Sequence, residues 1–152
     1  MMFDLTGKSA LITGASGGIG SAIARALHAR GAQLVLHGTR AEKLESLRAE
    51  LGNGAHVLTA NLSDREAVSS MISSAADMAG SVDILVNNAG ITRDNLFMRM
   101  KDAEWDDVLE VNMTASMLLC RNAMRAMMKA RWGRIISISS IVGVTGNPGQ
   151  TN

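Results

Sequence analysis

Directly after the apolar run Lys8-Ser9-Ala10-Leu11-Ile12-Thr13 stands a glycine-rich stretch, Gly14-Ala15-Ser16-Gly17-Gly18-Ile19-Gly20. Glycines at 14, 18 and 20 permit a tight turn and let backbone N–H groups come close to an anion. Ile19, Ile23 and Leu27 follow at helical spacing, so a helix starting near Gly17 aims its positive end at the same point. The chemistry this suits is the grip of a dinucleotide pyrophosphate, with a purely structural turn as the alternative, because the strict G-x-G-x-x-G spacing is absent.

About 20 residues beyond such a turn, an acid would hold ribose hydroxyls and an arginine would accept a 2′-phosphate. The chain reads His37-Gly38-Thr39-Arg40 there. Arg40, with Thr39 as a hydroxyl donor, favours NADP(H); Glu42 falls where a helix has already begun. Further on, Asn61 and Leu62 offer a polar and an apolar side chain suited to the edge and face of adenine, while Ser63 or Asp64 caps the next helix. Asn87-Asn88-Ala89-Gly90 combines amides that can tie strand ends together with small residues that let a ligand approach.

Asn112 stands out inside a long helical stretch. Steps of three and four set it on the face of Val108, Ala115 and Leu119, which predicts a buried amide that must find partners. Such a residue marks a local opening of the helix of the kind found at functional sites; a satisfied core amide is the alternative. Ser137, Ser139 and Ser140 close a strand that reads as central, where a substrate would sit. No histidine or paired carboxylate is placed to activate them, and G-x-S-x-G does not occur, so hydrolase chemistry is not expected.

Other features read more plainly. His28, His37 and His56 are too scattered for metal-ligand spacing, so no metal site is expected. Asp102, Glu104, Asp106 and Asp107 complement a helix dipole. Met113, Met117, Met124 and Met128 suit packing or subunit contact. Lys129, Arg131 and Arg134 form a basic cluster that is either solvated or receives an acidic partner.

The elements that must position these residues alternate. Strands are expected at Lys8–Thr13, Gln33–His37, Ala55–Ala60, Val82–Val86 and Arg134–Ile138. Helices are expected from Gly17, over Ala41–Leu51, Asp64–Met78 and Glu104–Ala130. The Val-, Ile- and Leu-rich fourth strand is typical of one covered on both faces. Serial βα units predict an α/β fold, a doubly wound parallel sheet with ligands beyond the carboxyl ends of its strands.

Composition sets the outer bounds. With 152 residues, 47% of them hydrophobic, one domain spanning 1–152 with a packed core is expected. Fifteen basic against 14 acidic side chains leave +1, which gives no field for nucleic acid or an anionic membrane. One cysteine, Cys120, and a start without a basic segment and apolar run point to the cytoplasm. There is no tyrosine, so these residues alone cannot offer a phenol as proton donor.

Taken in order, T-G-x-x-x-G-x-G at Thr13 to Gly20, N-N-A-G at Asn87 to Gly90, Asn112, and the serine before Ile141-Val142-Gly143 resemble the short-chain dehydrogenase/reductase family over the whole chain. The stretches Ile91 to Leu96, Met124 to Met128 and Gly143 to Asn152 are similar more narrowly to its 3-oxoacyl-[acyl-carrier-protein] reductases. The resemblance implies a Rossmann-like fold, a homotetramer, and hydride transfer from NADPH to a 3-oxoacyl thioester on acyl carrier protein; the alternatives are a short-chain reductase of acyl-CoA or small ketones, or a non-catalytic NADP-binding module. It implies that Gly14, Ser16, Gly17, Gly18, Ile19, Gly20, Thr39, Arg40, Asn61, Leu62, Asn88, Ala89 and Gly90 hold the cofactor. Gly17 stands where close relatives place an arginine, so Arg40 carries more of the NADP preference. Ser140, with Ser139 as fallback, would bind the substrate carbonyl, and Asn112 would support a water in the proton relay. The family's tyrosine and lysine would follow Asn152. The chain is therefore expected to be the N-terminal part of a reductase, incomplete at its C-terminal end and inert by itself.

Overall fold

The computed structural model describes residues 3–152. Apolar runs flanked by turn residues form five strands: β1 (Ser9–Ile12), β2 (Gln33–Gly38), β3 (Ala55–Thr59), β4 (Ile84–Asn87) and β5 (Arg134–Ser137). All pair in parallel, in the order β3-β2-β1-β4-β5, so the direction of winding reverses between β1 and β4. The crevice at that reversal lies beyond the carboxyl ends of both strands, where open α/β sheets take their ligands.

Alternating side chains fill two cores. Leu11, Val35 and Leu85 face one layer, built on α3 (Arg65–Ala79) and α5 (Ala115–Ala130); Ile12, Leu36 and Val86 face the other, built on α1 (Gly18–His28) and α2 (Ala41–Leu51). Register stacks Leu11 between Val35 and Leu85, and all three are sealed from solvent. Truncating Leu11 to alanine in such a setting costs about 2–5 kcal/mol.

Local signals explain the helix ends. The Asp64 carboxylate accepts the N–H groups of Glu66 and Ala67, which starts α3, and Gly80 at φ 80° stops it. The expected long helix is three pieces: α4 (Asp102–Leu109), a π-helical turn (Glu110–Thr114) and α5. A bidentate ion pair holds that turn from outside, with Arg65 Nε and Nη2 at 2.7 and 2.6 Å from the Glu110 carboxylate.

Among the described residues β5 pairs with β4 alone, and its four residues are exposed. Beyond it, a short α6 (Val142–Thr145) leads into a segment that folds back on the loop after β4. There Asn95 N–H donates to Gly149 O at 2.9 Å, and the Gln150 amide donates to the Asp94 carboxylate at 3.1 and 3.2 Å. Asn152 Nδ2 reaches Arg93 O at 2.9 Å and Glu104 O at 3.2 Å. Among the described residues, no helix is long and apolar enough to cross a membrane.

Candidate functional site

At the end of β1 the chain turns on Gly14, whose φ of 66° belongs to the left-handed region. A Cβ there would lie 2.9 Å from Ala89 Cα; one on Gly20 would collide with the Gly14 carbonyl and stand 2.7 Å from Asn88 Nδ2. These two glycines therefore let the turn press against the loop after β4. Gly18 differs, with nothing within 4 Å of where its Cβ would be. The first turn of α1 carries no acidic residue and no side-chain cap. Its amides and dipole are therefore left to an external anion.

Thr13 locks the two loops together. Its Oγ1 accepts the N–H groups of Asn88 and Ala89, both at 3.0 Å, while Asn88 Nδ2 donates to Thr13 O at 2.8 Å. The turn is tied to β2 as well, through Ala15 N–H to His37 O at 2.8 Å.

At the end of β2, Arg40 bends over the glycine turn, and its Nη2 donates to Ser16 O at 2.9 Å and Ser16 Oγ at 3.3 Å. That leaves an exposed guanidinium beside a hydroxyl, a pair suited to a phosphate ester. Glu42 sits in the first turn of α2, outside the cleft. Past β3, Asn61 Oδ1 accepts Ser63 N–H at 3.0 Å, which shapes the loop, and Leu62 is buried in the α3/α5 core.

These segments enclose a cleft of about 590 Å³, within the range of small-molecule sites. Every cofactor-side residue singled out in the sequence lines it, from Gly14 through Thr39, Arg40, Asn61 and Leu62 to Asn88, Ala89 and Gly90. His37, Gly38, Ser63, Ile91, Arg93 and Val111 line it too. An anion cradle, a guanidinium and an apolar wall of Leu62, Ala89 and Val111 together fit a phosphorylated dinucleotide.

Asn112 and Ser140 lie outside that lining. Asn112 stands in the π turn, so the helix does open there. Its side chain is exposed rather than buried, because the wider turn shifts its phase away from Val108 and Ala115, which remain in the core. It is nonetheless fully used: Oδ1 accepts Ile91 N–H at 2.8 Å and Nδ2 donates to Ile91 O at 2.9 Å. Ser139 and Ser140 are exposed between β5 and α6, and Ser140 Oγ accepts Val142 N–H at a long 3.4 Å.

Two residues escaped the sequence reading. Thr13 opened the T-G-x-x-x-G-x-G motif, but its part in joining the two loops was not visible. His37 is 1% exposed, and burial pushes its imidazole down to about 4. The remaining polar strand-end residue, Asn87, donates to Cys120 Sγ at 3.3 Å.

The family model for short chain dehydrogenase matches residues 8–152. Nodulation protein G of Rhizobium sp. (strain N33) is 64% identical over 152 residues, covering 99% of this chain and 62% of that protein. Its counterpart in Rhizobium meliloti (strain 1021) is 57% identical with the same coverage. The 3-oxoacyl-[acyl-carrier-protein] reductase FabG of Rickettsia felis is 52% identical over 151 residues, covering 99% of this chain and 61% of that protein. The chain thus spans about three-fifths of the length of the curated relatives it matches. That family model covers nearly all of the sequence, and the chain belongs to the short-chain dehydrogenase family.

Proposed function

We propose that residues 1–152 form the dinucleotide-binding domain of a cytoplasmic, homotetrameric reductase that takes NADP(H) and acts on 3-oxoacyl thioesters of acyl carrier protein. The observation that carries the nucleotide reading is the uncapped first turn of α1, set beside Arg40 and Ser16 in one cleft at the reversal of the sheet. The substrate class rests on likeness to proteins described as 3-oxoacyl-[acyl-carrier-protein] reductases. The exposed Lys129, Arg131 and Arg134, where an acidic carrier could dock, support it further.

NADPH, when bound, supplies a hydride to the ketone carbon. The chain's own part is placement. The α1 amides hold the pyrophosphate, Arg40 with Ser16 and Thr39 receives the 2′-phosphate, and Leu62, Ala89 and Val111 flank the adenine beside Asn61. Ser140 donates its hydroxyl proton as a hydrogen bond to the substrate carbonyl, with Ser139 the fallback. Asn112 fixes the loop at Ile91 and supports the relay that returns a proton.

The proton's final donor is a phenol in this family, and these residues contain no tyrosine. Missing a placed general acid costs on the order of 10²–10⁴ in rate. Nucleotide binding without turnover is thus the reading for the 152 residues by themselves, and reduction for a chain of the relatives' length. Fluorescence titration of the purified chain with NADPH and NADH tests the first: NADPH should bind more tightly, and no binding refutes it. For the second, NADPH absorbance is followed with a 3-oxoacyl thioester and the longer chain, and absence of oxidation refutes it.

A further inference from the structure

His37 sits two residues beyond Val35 on the β2 face that packs against α3 and α5, a position where strands carry aliphatic side chains. It is buried, it lines the cleft, and its Nδ1 has no hydrogen-bond partner among the described residues. A leucine could fill comparable space without stranding a nitrogen. What only a side chain with a donor provides is the second contact: Nε2 stands 3.2 Å from Ala60 O. A carbonyl oxygen only accepts, so Nε2 carries a proton. Burial holds the ring neutral, which keeps Nδ1 a bare lone pair.

Ala60 lies just past the end of β3, beyond the last register pair, Gly38 with Thr59. It is therefore the first residue that the sheet ladder does not hold. The next residues are Asn61 and Leu62, and they form the wall of the cleft opposite the glycine turn. The loop has a local fold of its own, Ser63 N–H to Asn61 Oδ1 and Asp64 N–H to Asn61 O, both at 3.0 Å. Those bonds shape it and Leu62 anchors it in the core, but neither ties the Ala60 carbonyl to β2.

We propose that His37 is a positioning residue for the adenine side of the cleft: its Nε2–H clamps the Ala60 carbonyl to β2 and so sets where Asn61 and Leu62 stand. The nucleotide part of this inference rests on the reading of the cleft given above; the clamp itself does not. A clamp of this kind acts at a distance from the reacting atoms, so its signature is selective loss of adenine-side affinity with the fold intact.

The test compares His37→Leu, which fills the space without a donor, with His37→Gln, whose amide can still reach the Ala60 carbonyl. In the nucleotide-free chain, amide hydrogen exchange at Ser63 and Asp64 should quicken about tenfold in the leucine variant, as expected for one lost hydrogen bond, and return toward wild type in the glutamine variant. Exchange at Leu11, Val35 and Leu85 should stay unchanged, which a general loosening of the fold would not allow. Binding of adenosine 2′,5′-bisphosphate should weaken by about the same factor in His37→Leu only. Unchanged exchange at Ser63 and Asp64 overturns the clamp whether or not nucleotide binds. Failure of the wild-type chain to bind the bisphosphate overturns the reading of the cleft, and the exchange rates still decide for or against His37.

Discussion

Asn112 grips Ile91 with both ends of its amide, accepting the main-chain N–H at 2.8 Å and donating to the main-chain carbonyl at 2.9 Å. The π turn and the loop after β4 are thereby joined by one side chain, at the rim of the cleft that Ile91 lines. Asn112→Ala removes both bonds from groups that water can reach. Net costs of about 0.5–1.5 kcal/mol per bond then fall near the low end, so a total loss of about 1 kcal/mol is expected. Urea unfolding measures it, and a midpoint equal to wild type would show that the bridge contributes nothing.

The glycine turn separates two roles that one motif conceals. Gly20→Ala would drive its methyl into the Gly14 carbonyl and against Asn88 Nδ2, so it should destabilise the fold by about 1–3 kcal/mol, the usual cost of overpacking. Gly18→Ala meets nothing within 4 Å and lies in a helix, where alanine is better by up to about 1 kcal/mol; thermal stability should hold or rise. Gly18 lines the cleft at the turn proposed to hold the pyrophosphate, so NADPH affinity should fall. Melting curves and titrations of both variants check the pair, and the pattern fails if Gly18→Ala binds as wild type does.

Arg40 donates from its guanidinium to Ser16 at the glycine turn. Replacing it with alanine removes a charge-assisted contact worth about 1.5–3 kcal/mol to a phosphate, that is about 10- to 100-fold in NADPH affinity. NADH lacks the phosphate and should bind nearly as before. Parallel titrations read the ratio, and an equal loss for both nucleotides would place the 2′-phosphate elsewhere.

Much of this site can be read from residue order because strand ends and short turns are local. Gly14 to Gly20 lies between an apolar run and an amphipathic one, and Asn61-Leu62 and Asn87 to Gly90 follow strands of their own, so a parallel sheet delivers all three to one crevice. The opening at Asn112 was legible as well, since a polar residue interrupts an apolar helical face. Its exposure was not, because the phase shift of a π turn leaves no residue-type signature. His37 looked like one of three scattered histidines, and only the approach of β3 to β2 shows what its ring holds.

The buried His37 also sets how the fold responds to acid. Its folded imidazole titrates at about 4, against 6.5 for an ordinary histidine. The unfolded chain takes up the proton first, so stability is complete above about pH 6.5, declines as pH falls through that value, and stops declining below about 4. A separation of this size is worth about 3 kcal/mol in full. The carboxylates that hydrogen bonds hold below their usual range behave differently: Glu50 and Glu110 through Arg25 and Arg65, and Glu104 through the Lys101 N–H. They contribute stability above the unfolded glutamate value of 4.5 and lose it only as pH falls below that value. The interval from about pH 6.5 to 5 therefore reports on His37 ahead of these glutamates. Urea midpoints of wild type should fall across it while those of His37→Leu decline less, and two parallel curves would mean that the histidine is not held neutral by burial.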